Sequence, residues 1–136
     1  MVKQVEFSLP PYPYGFHLVT RQILEQLPQL PNAGLLNLFI RHTSACITIN
    51  ENADPSVRSD FETFFNRLVP EGQSWVTHTD EGSDDMPAHL KASLIGFSVS
   101  IPISNGKLSM GTWQGIYLCE FRKNGGSRKI TATIID

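Results

Sequence analysis

The stretch from Phe97 to Arg122, "FSVSIPISNGKLSMGTWQGIYLCEFR", decides the fold that this sequence predicts. Its apolar residues occupy alternate positions from Phe97 to Ile103, and serines fill most of the positions between them. A period of two predicts a strand with one buried and one exposed face. Asn105-Gly106 then predicts a type I′ hairpin turn, because these two residue types accept the positive φ that the turn requires. The residues that follow predict one or two further strands, so antiparallel β structure is expected here.

Four other segments also show strand character. Residues 2–9 and 44–50 alternate, and the second of them places Ala45, Ile47 and Ile49 on one face. Residues 34–42 are dense in apolar side chains and predict a buried strand, and residues 128–136 are expected to close the sheet.

Three helices are expected between the strands. Apolar residues recur at helical spacing from Val19 to Leu27 and again, after the N-cap and N1 pair Asp54-Pro55, from Val57 to Leu68. A third helix is expected after Asp84, with three apolar side chains facing inward: Met86, Leu90 and Leu94. The sequence therefore predicts one domain, residues 1–136, of the α+β class: an antiparallel β-sandwich with about three packed helices.

Composition excludes several classes of partner. The 136 residues carry a formal net charge of −2, which argues against a nucleic-acid surface. No apolar run is long enough to span a bilayer, and the first residues contain no signal-peptide core. Cys46 and Cys119 are far apart and lack a CxxC spacing, which favours reduced, packed thiols. We therefore expect a cytoplasmic protein that binds neither nucleic acid nor membrane.

The segment "THTDEGSDDMPAHLK", residues 77–91, holds two of the four histidines and four acidic residues. If the third helix begins near Asp84, Asp85 and His89 are four residues apart on one face, where the carboxylate can orient the imidazole. His78 lies one loop length away and can converge on the same place. The alternative is a solvated acidic loop, because acidic residues are common at helix N-termini.

His42 adds a third histidine from a third element, within a polar cluster at a strand end. Three histidines from three elements are typical of a catalytic metal site with an open position. The alternatives are a hydrogen-bonded or surface histidine, and a nucleophile and base pair with Ser44, although the GxSxG elbow of such enzymes is missing. Further along, Glu120 is either part of a surface ladder or of a site wall. Arg128 either binds phosphate or is solvated.

Taken together, the chain resembles the YjbQ family (UPF0047) over nearly its whole length. Three blocks carry the resemblance: "HTSACITINENADPSVRSD", "HTDEGSDDMPAHLKASLIGFSVSIPISNG" and "LSMGTWQGIYLCEFR". The resemblance implies a homotrimer and a metal site near the subunit boundary, with zinc as the expected ion and magnesium as the alternative. It implies three metal ligands, His42, His78 and His89. Positions usually present in the family are matched by Thr43, Asn50, Glu51, Thr112, Trp113, Gln114, Glu120 and Arg128. We expect Glu51 and Glu120 to be catalytic, and we expect a substrate-binding set of Thr43, Ser44, Asn50, Thr112, Trp113, Gln114 and Arg128.

Three functions stay open at this point. Family members have been associated with a weak thiamine-phosphate synthase activity, which implies a metal-dependent enzyme for a small, phosphorylated metabolite. Histidine ligands favour zinc, whereas pyrophosphate chemistry normally uses magnesium held by oxygens, so a zinc-dependent hydrolase fits the ligands better. The second function is a homotrimer that binds metal or metabolite without turnover, and the third is a purely structural trimer.

Overall fold

A computed structural model, which describes all residues 1–136, shows eight strands and three helices. The strands are β1 (Val2–Leu9), β2 (Gly15–Leu18), β3 (Ala33–Ile40), β4 (Ala45–Glu51), β5 (Ser98–Ser104), β6 (Lys107–Leu108), β7 (Gln114–Glu120) and β8 (Arg128–Ile135). The helices are α1 (Thr20–Gln26), α2 (Pro55–Leu68) and α3 (Asp85–Ile95). None of the three helices combines the length and the hydropathy that a membrane span requires.

The strands form two antiparallel sheets. The larger has the order β1-β8-β3-β5-β6 and the smaller the order β2-β7-β4. Their apolar faces meet in one core, to which Leu36 and Ile101 of the large sheet and Ile47 and Leu118 of the small sheet all contribute. The predicted α+β sandwich with three helices is confirmed. The alternation that predicted β5 is confirmed, because Ile101 and Ile103 are buried and the positions between them are exposed. In β4 the burial does not alternate, because α3 covers Cys46 on the outer face while Ala45 and Ile47 face the main core.

The predicted hairpin turn and the predicted N-cap of α2 are also confirmed. Asn105 and Gly106 have φ values of 54° and 73°, as a type I′ hairpin between β5 and β6 requires. Asp54 caps α2, and its side chain accepts a hydrogen bond from the Ser56 backbone N–H at 2.9 Å.

A second, smaller core lies between the outer face of the small sheet and helices α2 and α3. Phe61 and Phe65 of α2 pack against it, as the helical spacing predicted. Phe64 and Leu68 lie on the same apolar stripe but are more than half exposed. The predicted apolar face of α2 therefore extends beyond the surface that the domain covers.

The predicted inward face of α3 was wrong. The helix does not bury Met86, Leu90 and Leu94; its buried residues are Asp85, Pro87, Ala88, Lys91 and Ala92, and Leu94 is largely exposed. Ala88 and Ala92 face the sheet beside Cys46 and Cys119, where small side chains let the helix approach closely. This rotation turns a carboxylate and an ammonium, in place of large apolar groups, toward the protein.

Candidate metal centre

Asp85, in the first turn of α3, is the centre of a polar cluster. Its side chain is almost completely buried. Its Oδ2 atom lies 2.7 Å from His78 Nε2 and 3.0 Å from His89 Nε2. The expected pairing of Asp85 with His89 is present, and the loop before α3 brings His78 to the same oxygen. The two imidazole rings lie 5.5 Å apart between centroids.

Arg122, two residues after the end of β7, holds this acidic segment in place. It donates from Nη1 to Asp85 Oδ1 at 2.6 Å, from Nε to Asp84 Oδ2 at 3.0 Å, and from Nη2 to the carbonyl of Glu81. Burial alone raises the pKa of Asp85. The hydrogen bond from His78, the charge of His89 when it is protonated and the charge of Arg122 outweigh it, so the pKa of Asp85 lies below its ordinary value. Asp85 is thus a fixed carboxylate with one oxygen facing the histidines.

The second nitrogen of His89 fixes its chemistry. His89 Nδ1 lies 3.0 Å from the backbone carbonyl of Thr43. A carbonyl only accepts, so Nδ1 carries a proton, and a neutral His89 then has a lone pair at Nε2. That lone pair would face a carboxylate oxygen 3.0 Å away, which is repulsive unless a cation lies between them. Either a proton or a metal ion fills this role.

The three side chains present a ligand set of two imidazole nitrogens and one carboxylate oxygen. One ligand atom from each of His78, Asp85 and His89 lies within 4.8 Å of the other two. The side chains of His78 and His89 are 47% and 28% exposed, against 2% for Asp85. Two histidines and one carboxylate, closed on the protein side and open on the solvent side, are typical of catalytic zinc sites. The donor types therefore fit zinc.

His42 lies outside this cluster. Its Nε2 accepts a hydrogen bond from the Lys129 backbone N–H at 2.8 Å, and it is not among the grouped ligand atoms. Burial, together with the nearby charge of Arg128, lowers the pKa of His42 and keeps it neutral. The structure thus brings together two of the three expected histidines. Asp85, expected only to orient a ligand, occupies the third place, and His42 as a ligand stays a prediction.

Glu120, a predicted catalytic residue, lies in a sealed ion pair. It has no exposed surface, and it accepts from Arg128 through Nε at 2.7 Å and through Nη2. Arg128, only 4% exposed, also donates to Ser44 Oγ at 3.0 Å. These three predicted site residues are brought together, but they face each other rather than solvent.

The remaining predicted residues lie at the other end of the β4–β7 ladder. Ala45 pairs with Glu120 at one end, and Glu51 pairs with Gln114 at the other, six residues along. Six residues of antiparallel strand span about 20 Å. Asn50, Thr112 and Trp113 belong to this second end, where Asn52 donates to the carbonyls of Thr112 and Gln114. Within one chain, the predicted substrate-binding set is therefore split in two.

Comparison with known proteins identifies the family that has this architecture. Residues 5–136 match the model of the family described as UPF0047 protein YjbQ-like. The chain belongs to the YjbQ-like UPF0047 family. It is similar to the UPF0047 protein YjbQ of Escherichia coli O157:H7, with 53% identity over 122 residues that cover 88% of each chain.

Solved structures of YjbQ-like proteins have the same fold. A protein of unknown function from Sulfolobus solfataricus P2 is 27% identical, with a TM-score of 0.83 over 98% of this chain and 96% of its own. A YjbQ/UPF0047 family protein from Clostridium acetobutylicum is 38% identical, with a TM-score of 0.79 over 96% and 99% of the two chains. The similarity extends over nearly the whole of each chain, so the two-sheet architecture is that of the YjbQ-like family.

Proposed function

We propose that this protein is a zinc-dependent hydrolase that acts on a small metabolite, with the metal held by His78, Asp85 and His89. The observation that carries the proposal is the approach of His89 Nε2 to Asp85 Oδ2, because the Thr43 carbonyl reserves the only ring proton of a neutral His89 for Nδ1. This geometry supports a cation at that point, either a metal ion or the second proton of His89. Zinc in such a ligand set supplies Lewis acidity and a nucleophile near neutral pH.

Each protein group near the site has a defined task in this proposal. Arg122 occupies Oδ1 of Asp85 and leaves Oδ2 as the ligand atom. The Thr43 carbonyl fixes the ring orientation of His89, as outer hydrogen bonds do at zinc sites. His78 is the most exposed of the three and forms the open side, toward which a substrate approaches.

Magnesium chemistry and group transfer receive less support from this ligand set. Magnesium prefers oxygen ligands and keeps several waters, whereas two of the three donors here are imidazoles. A thiamine-phosphate synthase reaction, in which pyrophosphate leaves, needs a site for that anion. The expected phosphate ligand Arg128 is only 4% exposed and is already paired with Glu120. We therefore place hydrolysis before group transfer to a phosphorylated substrate.

A second candidate is a homotrimer that binds metal or metabolite without turnover. Four large apolar side chains, each more than half exposed, favour self-association: Phe64, Leu68, Trp75 and Leu94. Assembly would also supply the Glu51 end of a neighbouring copy to a site that lacks it within one chain. In both candidates we place the protein in the cytoplasm, which is supported by its two buried, unpaired cysteines.

Elemental analysis of untagged protein, purified without chelator, tests the metal site. We expect near-stoichiometric zinc in the wild type and loss of more than half of it in His78→Ala, His89→Ala and Asp85→Asn. His17→Ala is the matched control, because His17 contacts the Pro13 carbonyl away from the cluster. His42→Ala distinguishes the two ligand sets, since zinc is kept if Asp85 is the third ligand. Wild-type protein without metal, or metal unaffected by all three substitutions, would contradict the proposal.

Turnover distinguishes the two candidate functions. Zinc-loaded wild type and Asp85→Asn are compared on a panel of small carboxylic and phosphoric esters, each assayed with and without chelator. Hydrolysis that depends on both zinc and Asp85 supports the enzyme. Stoichiometric zinc without turnover on any ester supports the binding homotrimer.

A further inference from the structure

Lys91 of α3 is a buried ammonium on a different side of the helix from the metal cluster. It is only 3% exposed, and Nζ donates to Tyr14 Oη at 2.7 Å and to Asn66 Oδ1 at 2.9 Å. The ring centroids of Tyr14 and Phe121 lie 5.2 and 5.6 Å from the ammonium. These neutral groups stabilise the cation only in part. The third N–H of Lys91 has no acceptor in the chain.

The chemistry of the three side chains fixes the orientation of Asn66. Lys91 only donates, so the Asn66 atom facing it is the carbonyl oxygen. Tyr14 accepts from Lys91 and donates its own proton to the same oxygen. Burial and the charges of Glu62 and Glu71 raise the pKa of Tyr14 to about 12, so the hydroxyl keeps that proton. The Asn66 amide N–H groups are left without a partner and are free to donate.

The neighbouring carboxylates are already paired with other cations. Asp84 accepts from Arg122 Nε and from the Lys123 backbone N–H, both at 3.0 Å. Glu71 lies 3.8 Å from Lys123 Nζ. No carboxylate lies within ion-pair distance, about 4 Å, of Lys91 Nζ, although Glu62 and Glu71 act on it from further away. Glu71, Asp84 and Lys123 also line this space, but each has a partner of opposite charge. The Lys91 ammonium is the charged group there without a direct counter-ion, an arrangement that is costly unless an anion joins it.

A cavity of about 380 Å³ lies beside this ammonium, between the end of α2 and α3. Asp84, Pro87 and Lys91 line it from one stripe of α3, whereas Lys91 is two residues, or about 200°, around the helix from His89. Val69 and Phe121 supply apolar walls. The volume suits a small metabolite.

We propose that this cavity is a second ligand site, which binds a small organic carboxylate. The carboxylate accepts hydrogen bonds from Lys91 Nζ and from the Asn66 amide, and the apolar body of the ligand packs on Phe121 and Val69. The site is independent of the metal cluster, because it uses neither histidine nor Asp85.

Benzoate is the probe, with neutral benzamide as its matched control of the same shape. Each is titrated into the full-length, isotope-labelled protein and followed by NMR, including the lysine side-chain carbons of the wild type. We expect benzoate to shift the Lys91 ε-methylene signal and the backbone signals around Asn66 and Phe121. Benzamide is expected to bind about tenfold more weakly or not at all.

Three variants separate this site from other anion-binding surfaces. Lys91→Met keeps the length of the side chain but removes its charge, and we expect binding to weaken about tenfold or more. Asn66→Asp keeps both accepted hydrogen bonds and gives Lys91 an internal counter-ion, so it is expected to abolish binding even if Lys91→Met fails to fold. Lys107→Met, at the exposed start of β6 and outside the cavity lining, is expected to bind as the wild type does.

Two results would overturn the proposal. The first is benzoate binding that survives unchanged in Asn66→Asp. The second is a wild type whose Lys91 signals do not respond to benzoate. His89→Ala, which is expected to lose zinc, should bind benzoate normally, so the failure of the metal site and the failure of this site are distinguishable.

Discussion

Two buried carboxylates in this protein are each held by an arginine, and they have different surroundings. Both carboxylate oxygens of Glu120 accept hydrogen bonds from Arg128, and one of them also accepts from the Arg122 backbone N–H. Glu120 has no exposed surface. Asp85 gives one oxygen to Arg122 and turns the other toward two imidazoles that reach solvent. The first arrangement is closed and complete, whereas the second leaves an oxygen ready for a cation.

The comparison shows that an arginine–carboxylate pair does not by itself identify a site. What matters is whether the second oxygen faces a partner that already satisfies it. Glu120 is satisfied, so its removal should damage the fold. Asp85 Oδ2 is hydrogen-bonded to His78, but its approach to His89 is favourable only when a proton or a metal lies between them, so the removal of Asp85 should damage the site first.

The largest expected effect follows from breaking the closed pair. Arg128→Met leaves Glu120 buried without its counter-ion, and we expect the free energy of unfolding to fall by about 3–5 kcal/mol. Urea denaturation of the metal-free protein measures it. The double variant Glu120→Gln/Arg128→Met, which removes both charges, should recover much of the loss. A single variant as stable as the wild type would show that the pair is not the structural one.

Gly125→Ala tests how tightly the same pair is enclosed. A Cβ at Gly125 would lie 2.6 Å from Arg128 Nη2 and from both carboxylate oxygens of Glu120. We expect a loss of about 1–3 kcal/mol in the free energy of unfolding, because the pair must shift to admit a methyl group. Gly126→Ala meets no atom but carries a φ of 72°, so it reports backbone strain alone. Only the Gly125 effect should shrink in the Arg128→Met background.

Asp85→Asn tests the open carboxylate and is expected to have a smaller effect on the fold. In metal-free protein at neutral pH we expect a loss of about 1 kcal/mol, because asparagine still accepts from Arg122. The folded pKa of Asp85 is lowered, so its contribution is present above the ordinary value of about 3.9 and is lost as pH falls through the folded value. The difference between wild type and variant should therefore shrink as pH falls below that ordinary value. A difference that grows with acid would contradict the lowered pKa.

Much of the fold was predictable from the sequence because it depends on local patterns. The alternation in β5, the Asn105-Gly106 turn and the Asp54 cap each rest on a few neighbouring residues. The pairing of Asp85 with His89 was predictable for the same reason, since four residues make one helical turn.

The misread features depend on contacts between distant elements. Leu90 and Leu94 have the same helical spacing as Ala88 and Ala92, and only the space beside the small sheet selects the alanines. The composition of α3 does not show which of its sides is buried, so the burial of Lys91 was not predicted either. The closure of Glu120 by Arg128 and the position of His42 outside the cluster also depend on how strands meet, and the roles predicted for Glu120 and His42 stay predictions.

The smallest expected effect is that of Thr43→Ala, and it marks the boundary between site and scaffold. Thr43 contacts the cluster through its backbone carbonyl, which accepts from His89 Nδ1, and its side chain is exposed. Removing the side chain keeps that carbonyl, so zinc content should be unchanged and the free energy of unfolding should change by about 0.5 kcal/mol or less. Elemental analysis and urea denaturation, with His89→Ala as the positive control, measure both quantities. If Thr43→Ala lost half of its zinc, the side chain would be holding the loop or the metal itself. The orientation of His89 would then depend on a replaceable hydroxyl rather than on the backbone. If zinc stays but turnover of an ester falls, Thr43 acts on the substrate alone, as predicted from the sequence.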